Sequence, residues 1–245
     1  MKTSSYRRIL FGGAAVLCGL IALMWWDAET WQTLHQIWSL PLGTVIGGCL
    51  MSGEISGGIA MQFARTVRLA SIVLIVVYGL FSLACIPGIA AAPAMYEHYP
   101  SFFEQFAAFS GAIALYAATE ANTARGKALG RLARLGFGAC AVSFGLTQIV
   151  YFRATAGLVP KWIPPGQIFW AVLTTVAFGL AAIAILVNRR ARLATRLLTL
   201  MLALFGVLVW IPRLMAHPEA HSNWSEFGLT VLITGAAWMV AEQSH

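Results

Sequence analysis

One acidic residue, Glu54, lies in the middle of a long apolar stretch. An ionised carboxylate at the centre of a membrane costs roughly 2.5–3.5 kcal/mol or more, so such a group usually faces a bundle interior or a wet cavity. Gly48, Ser52 and Ser56 recur beside it at four-residue spacing, which lets a neighbouring helix approach closely. Two interpretations stay open. Glu54 is a catalytic residue that handles protons or anchors a ligand, or it is a structural acid that is hydrogen-bonded to a neighbouring helix.

A second candidate is the segment His217-Pro218-Glu219-Ala220-His221, which places two imidazoles and an acid within five residues. Imidazole and carboxylate ligands suit zinc, copper or iron, so His217 and His221 are candidate metal ligands. Pro218 fits only the first turn of a helix, so a regular two-histidine clamp on one helix face is not expected. The alternative is that both are solvated loop histidines.

The tryptophans are the third candidate set, because eight of the nine fall near one face of the predicted membrane domain: Trp25, Trp26, Trp31, Trp38, Trp162, Trp170, Trp210 and Trp224. An anchoring belt alone would place tryptophan at both membrane faces, and only Trp238 is near the other face. The excess predicts a quinone-head or lipid site at this face, in which a quinone head would pack on Trp38, Trp162 or Trp210. Membrane anchoring and loop packing are the alternative.

Other catalytic signatures are absent from the sequence. The four cysteines all fall in apolar stretches without a Cys-x-x-Cys pair, so we interpret them as small buried side chains. We find no phosphate-binding loop, no dinucleotide glycine pattern and no Ser-His-Asp arrangement. The sequence therefore names no enzyme activity.

Composition places these residues in a membrane protein. The chain is 59% hydrophobic and 10% charged, with a mean hydropathy of +0.77, whereas soluble domains carry about 25% charged residues. A helix needs ~20 mostly apolar residues to cross a bilayer. This length predicts eight spans, at residues 9–26, 42–63, 69–87, 102–118, 135–152, 167–187, 197–211 and 226–240.

The basic residues orient these spans. Thirteen of the sixteen lysines and arginines fall on one side, and only Arg153, Lys161 and Arg213 fall on the other. Short basic loops stay in the cytoplasm, so both termini are predicted to be cytoplasmic, in a multi-pass protein of the bacterial inner membrane. The same distribution explains the net charge of +7 and argues against a nucleic-acid partner, because the bases are divided among short loops.

The two halves of the chain resemble each other. Phe11-Gly12 returns as Phe137-Gly138, Arg68-Leu69-Ala70 as Arg192-Leu193-Ala194, and Ile86-Pro87 as Ile211-Pro212, and the offset stays between 123 and 126. Four spans per half predict a parallel repeat about an axis along the membrane normal. The expected fold is all-α, with eight transmembrane helices in two four-helix repeats, residues 1–122 and 123–245, built as bundles side by side.

Each half also resembles a DoxX-like four-helix membrane unit. The first half carries Glu54-Ile55-Ser56-Gly57-Gly58 and Arg68-Leu69-Ala70, and the second carries Arg134, the outer segment 159–164, Arg192-Leu193-Ala194 and Gly235-Ala236. Unlike the usual single unit, this chain would be a fused pair, and its second half lacks the acid of the first. The resemblance implies a link to quinone-coupled oxidation or to oxidative-stress complexes.

Three hypotheses follow from these patterns. The first is a redox accessory subunit that binds quinone or contacts a membrane or periplasmic partner at the outer face. The second is a transporter for protons or small solutes that uses Glu54. The third is a structural or assembly subunit of a larger membrane complex, in which case no cofactor is bound.

Overall fold

The computed structural model describes residues 5–26 and 37–243, and every regular element in these ranges is helical. The predicted all-α class is confirmed. The described part also contains a 3₁₀ turn (Tyr96–His98) and a π-helical segment (Gly206–Trp210). The helices are α1 (Ser5–Trp25), α2 (Gly43–Ala60), α3 (Val67–Ala84), α4 (Ile86–Ala91), α5 (Tyr99–Thr119), α6 (Thr123–Val150), α7 (Phe152–Leu158), α8 (Gln167–Leu186), α9 (Ala191–Phe205), α10 (Ile211–Ala216) and α11 (His221–Ala241).

Six helices in the described part are long and apolar enough to cross a membrane, which agrees with a multi-pass protein in a lipid bilayer. The other two long helices are α2, which carries Glu54, and α5, which carries Glu104 and Gln105. The six spans are Tyr6–Trp25, Val67–Ala91, Thr123–Val150, Gln167–Leu186, Ala191–Ala216 and His221–Ala241.

Large apolar side chains are exposed along the outer faces of the helices. Leu69 and Leu83 on α3 and Ile168, Leu180 and Ile183 on α8 are each more than half exposed. A soluble protein rarely shows contiguous apolar surface of this extent. The exposed faces therefore suit contact with lipid tails.

The eight long helices form a closed ring. Each packs on its neighbours in the order α1, α2, α3, α5, α6, α8, α9, α11 and back to α1, and α5 also packs on α11 across the middle. The first helix of each half thus lies on the last helix of the other half, α1 on α11 and α6 on α5. The halves are interlocked, and do not stand as two self-contained bundles side by side.

Glycines set the closest approach at the centre of this ring. A Cβ atom on Gly111 of α5 would lie 2.6 Å from the Cβ of Ala236 on α11, and one on Gly235 would lie 2.8 Å from the Cα of Phe11 on α1. Real Cβ atoms do not approach so closely. The absence of side chains at both glycines therefore lets three helices meet almost backbone to backbone.

One end of the ring, which we call the arginine end, is held by two acids that follow the last helix of each half. Glu242, after α11, lies 2.9 Å from Arg196, 3.1 Å from Arg192 and 3.7 Å from Arg7. These three arginines come from α9 and α1, so one carboxylate joins three helices at this end.

Glu120, after α5, has a matching role. It lies 3.4 Å from Arg68 of α3 and 3.8 Å from Arg125 of α6. The side chain of Asn122 caps α6 by accepting from the backbone N–H groups of Ala124 and Arg125, at 3.0 and 3.1 Å, which starts the next helix close to the acid.

Both acids ionise more readily than usual. Burial opposes ionisation of Glu242, but the hydrogen bond from Arg196 and the charges of Arg7, Arg192 and Arg196 outweigh it and hold the pKa of Glu242 below its ordinary value. The backbone N–H of Asn122 donates to Glu120 and, with Arg68 and Arg125, lowers the pKa of Glu120 as well.

We expect Glu242→Gln to remove a pH-dependent part of the stability. A carboxyl whose pKa is lowered in the folded state stabilises the folded protein at pH values above its ordinary pKa of 4.5. That stability is lost as the pH falls through the lowered pKa. Thermal unfolding in detergent between about pH 7 and pH 3 should show wild type losing more stability on acidification than Glu242→Gln. Glu97→Gln, in an exposed segment, is the control, and equal acid sensitivity of wild type and Glu242→Gln would contradict the assignment.

Candidate functional site

The second half of the ring encloses a cavity of about 380 Å³. Its walls come from α5, α6, α7, α8, α9, the π-helical segment and α11, and from the loop between α7 and α8. Since α6 begins at the arginine end, its last turn and the loop after α7 belong to the opposite end, which we call the tryptophan end. The volume lies within the range of small-molecule sites, which are roughly 300–1,000 Å³.

Aromatic side chains form much of the cavity wall. Phe144 of α6 meets Phe178 of α8 edge to face, with ring centroids 5.9 Å apart, and Phe178 lies 6.4 Å from Phe205 of α9. Trp170 and Trp210 also line the cavity. These rings give the cavity flat, polarisable walls on several sides.

Two hydrogen bonds hold the loop that borders the cavity. The indole N–H of Trp170 donates to the carbonyl of Pro164 at 3.0 Å, and the side-chain amide of Gln167 donates to the carbonyl of Val159 at 2.6 Å. Both donors lie at the start of α8. The border of the cavity is therefore fixed to a helix that also supplies part of its wall.

The π-helical segment forms part of the wall on the other side. Pro212 has no N–H to donate to the carbonyl four residues earlier, and its ring crowds that carbonyl, so the chain cannot continue as a regular α-helix here. Leu208, Val209 and Trp210 of this segment all line the cavity. Such π-helical turns within α-helices are frequent at functional sites.

Two carboxyl groups face the same cavity. Glu104 of α5 is half-buried and Glu226 of α11 is exposed, and both line the cavity. They lie close enough for their charges to interact. Among the described residues, neither carboxyl forms a hydrogen bond or ion pair that would satisfy it internally.

A third polar group, Gln148 of α6, lies on the wall. Its Oε1 accepts from the hydroxyls of Thr174 and Thr175 on α8, at 3.0 and 2.9 Å. The amide is thereby held against α8, and among the described residues its Nε2 forms no hydrogen bond.

The three candidate tryptophans do not meet in one pocket. Trp210 lines the cavity, whereas Trp162 is 70% exposed and is not among the lining residues. Trp38 lies in the first half, stacked on Trp26 with ring centroids 5.6 Å apart. Trp31 lies outside the described residues.

Glu54 is buried away from the cavity. It is only 2% exposed, and its Oε1 accepts a hydrogen bond of 2.9 Å from the hydroxyl of Tyr78 on α3. This contact matches the structural interpretation of Glu54, in which its partner is a hydroxyl on a neighbouring helix.

The two candidate metal ligands point to different neighbours. The Nδ1 of His217 lies 3.3 Å from a carboxylate oxygen of Glu219, and both side chains are exposed. His221 is buried and stacks on Trp25 of α1, with ring centroids 5.2 Å apart. Within the part of the chain that the structure describes, no three His, Cys, Asp or Glu side chains group as a metal site.

Sequence reasoning missed the two acids and Gln148 as a group. The available signal was that the fourth predicted span of each half carries or adjoins an acid, Glu104 in the first and Glu226 in the second. Comparisons of the chain with protein-family models, with curated proteins and with solved structures found no match. The DoxX-like resemblance stays a prediction from the quoted residues.

Tyr78→Phe should destabilise the protein by roughly 1–3 kcal/mol, because it leaves the buried carboxyl of Glu54 without its donor. In a Glu54→Gln background Tyr78→Phe should lower the stability by less, because the hydrogen-bonded pair of Glu54 and Tyr78 is already altered. Tyr151→Phe, at a partly exposed ring, is the matched control. Thermal unfolding of the four variants in detergent measures the difference, and an unchanged midpoint for Tyr78→Phe would refute a stabilising role for the pair.

Proposed function

We propose that this chain is an eight-span protein of the bacterial inner membrane that binds a small amphipathic molecule in the cavity of its second half. The observation that carries the proposal is the aromatic cavity with its two carboxyls and one amide. A cavity with mostly apolar walls and a few convergent polar groups is typical of a ligand site.

Helix length and position support eight spans. Helices α2 and α5 have 18 and 21 residues, which lies within the range of about 17–25 that crosses a bilayer. Each takes its place in the ring between helices that are apolar enough to span. Their polar residues, Glu54, Glu104 and Gln105, are buried or half-buried, as expected for acids and amides in a membrane helix.

The packing order supports the two-repeat architecture. Each contact between consecutive long helices of the first half has a counterpart in the second: α1 on α2 matches α6 on α8, α2 on α3 matches α8 on α9, and α3 on α5 matches α9 on α11. The two acids at the arginine end are also matched, since Glu120 pairs with Arg68 and Glu242 with Arg192. A two-fold axis between α5 and α11 would relate these pairs.

A one-residue difference between the repeats falls where the π-helical segment lies. Arg68 and Arg192 are 124 residues apart, whereas Pro87 and Pro212 are 125 apart. The second half thus has one extra residue between these points, and a π-helical turn is what one added residue in an α-helix produces. This difference supports a cavity whose walls come mainly from the second repeat.

The equivalent positions in the first half hold a hydrogen-bonded polar pair. At an offset of 124, Phe178 and Leu202 of the cavity wall correspond to Glu54 and Tyr78, which are fully buried and hydrogen-bonded to each other. In the proposed repeat, one half therefore has a polar pair where the other half has apolar side chains of the cavity wall.

A quinone is the ligand that the DoxX-like resemblance implies, and its planar ring and apolar tail suit walls made of Phe144, Phe178 and Trp210. Under this proposal the chain is a quinone-linked accessory subunit. The paired acids in a duplicated bundle also favour a second candidate, a transporter whose substrate rests in the same cavity.

Native mass spectrometry of protein extracted in mild detergent tests the binding. Wild type should carry an added mass of a small molecule, and Leu208→Trp should lose it because the larger ring fills the cavity. Leu200→Trp, at a position of the same transmembrane segment that is 57% exposed and does not line the cavity, should keep it. A bare chain would count against the proposal, and a co-purified polypeptide without a small ligand would favour the assembly-subunit hypothesis.

Thiol labelling tests the spans and their orientation. In a cysteine-free background, Ala94→Cys should react with a membrane-impermeant reagent from outside the cell, whereas Ala121→Cys should react only after the membrane is opened, because α5 crosses between them. If α5 did not cross the membrane, Ala94→Cys and Ala121→Cys would be labelled under the same conditions. Gln243→Cys, expected inside, is the control for the C-terminal end.

A further inference from the structure

The cavity's polar groups point to the charge of its ligand, and we infer that the ligand is an amphipathic organic cation, an ammonium group carried on an apolar or aromatic body. This inference rests on the proposed binding of a small molecule in the cavity. It names the chemical class from the wall of the cavity, independently of the DoxX-like resemblance.

The charges on the wall are all of one sign. Glu104 and Glu226 line the cavity together, and none of the described residues that line it is Lys, Arg or His. Two carboxyls that interact across an apolar space cannot both ionise favourably without a positive charge near them. A cationic ligand would supply that charge.

Positive groups on neighbouring elements do not pair with the two cavity acids: among the described residues, Arg153 of α7 and Lys161 of the loop after it neither line the cavity nor form an ion pair with Glu104 or Glu226. The guanidinium of Arg213 on α10 lies 5.7 Å from the ring centroid of Trp210, and it neither lines the cavity nor forms an ion pair with Glu104 or Glu226. The arginines that do pair with acids lie at the arginine end, on Glu120 and Glu242. Within the described chain, no ion pair therefore neutralises either cavity carboxyl.

The remaining polar groups on the wall are largely satisfied. Thr147 donates to the carbonyl of Ser143 at 3.0 Å, Thr155 donates to that of Phe152 at 3.1 Å, and Thr174 donates to Gln148. The indole N–H of Trp170 is held by Pro164. The groups left for a ligand are therefore mainly carboxylate oxygens, which accept hydrogen bonds, and an ammonium group donates up to three.

The aromatic walls suit the same class. A cation within about 6 Å of a ring centroid is attracted to the face of Trp, Tyr or Phe, and more strongly where water is excluded. Phe144, Phe178, Phe205 and Trp170 supply such rings around the cavity. A neutral quinone has only acceptor oxygens, so it would offer no donor to an ionised carboxyl on the wall.

Two probes of nearly equal size test the charge requirement. The probes are 2-phenylethylammonium and 2-phenylethanol, which carry an ammonium or a hydroxyl on the same phenylethyl group. Equilibrium dialysis measures the binding of each to the full chain in lipid nanodiscs, and empty nanodiscs are the blank. The ammonium should bind at least about tenfold more tightly, the scale of a hydrogen bond to a charged group. Equal affinities, or tighter binding of the alcohol, would overturn the cation inference.

Matched variants locate the effect. The double change Glu104→Gln and Glu226→Gln should remove the tighter binding of the ammonium and leave the affinity for the alcohol unchanged. The control is Glu219→Gln, since the side chain of Glu219 is 73% exposed in a loop, and it should change neither affinity. Equal melting temperatures of the variants exclude misfolding as the cause. An ammonium advantage that survives the double change would refute the assignment to these acids.

The same measurements separate this inference from the proposed function. If the alcohol or a short-chain quinone binds and Leu208→Trp abolishes that binding, the cavity is a ligand site but its ligand is neutral, and only the cation inference fails. If no probe binds and wild type carries no small molecule in native mass spectrometry, both fail.

Discussion

The close packing of α5 on α11 is the constraint on which the rest of the structure depends. Gly111 and Gly235 have no side chains, so these two helices and α1 meet almost backbone to backbone. Because α5 ends the first half and α11 ends the second, their contact ties the halves together. The outer helices then complete a ring around this centre, and the arginine end is closed by Glu120 and Glu242.

This central contact also decides where the acids can meet. Glu104 and Glu226 lie toward the starts of α5 and α11, so the packing that joins the helices brings the two carboxyls near each other. Their mutual repulsion could be relieved by an internal partner, as the hydroxyl of Tyr78 does for Glu54. Within the described chain they have none, and they face the cavity instead.

The two halves differ in the residues that lie between their helices, and the proposed ligand site depends on this difference. In the first half, Glu54 and Tyr78 occupy the space between helices and satisfy each other. In the proposed repeat their counterparts in the second half are Phe178 and Leu202, which line the cavity together with residues of the π-helical segment before Pro212. Apolar side chains there line the space without filling it, and a cavity of about 380 Å³ remains. The proposed ligand and its proposed charge both depend on this difference.

The sequence by itself determined the membrane class, the helical elements and the clustering of arginines, because these follow from local hydropathy, span length and charge. Each predicted span contains a long helix, and Glu54 is buried as its apolar surroundings required. Only the tertiary structure decided that α1 packs on α11, that Trp38, Trp162 and Trp210 stay apart, and that Glu104, Glu226 and Gln148 share one cavity. The physical reason is that a cavity is the space left when helices from distant parts of the chain have packed, and no local pattern of residues encodes a volume that several helices enclose together.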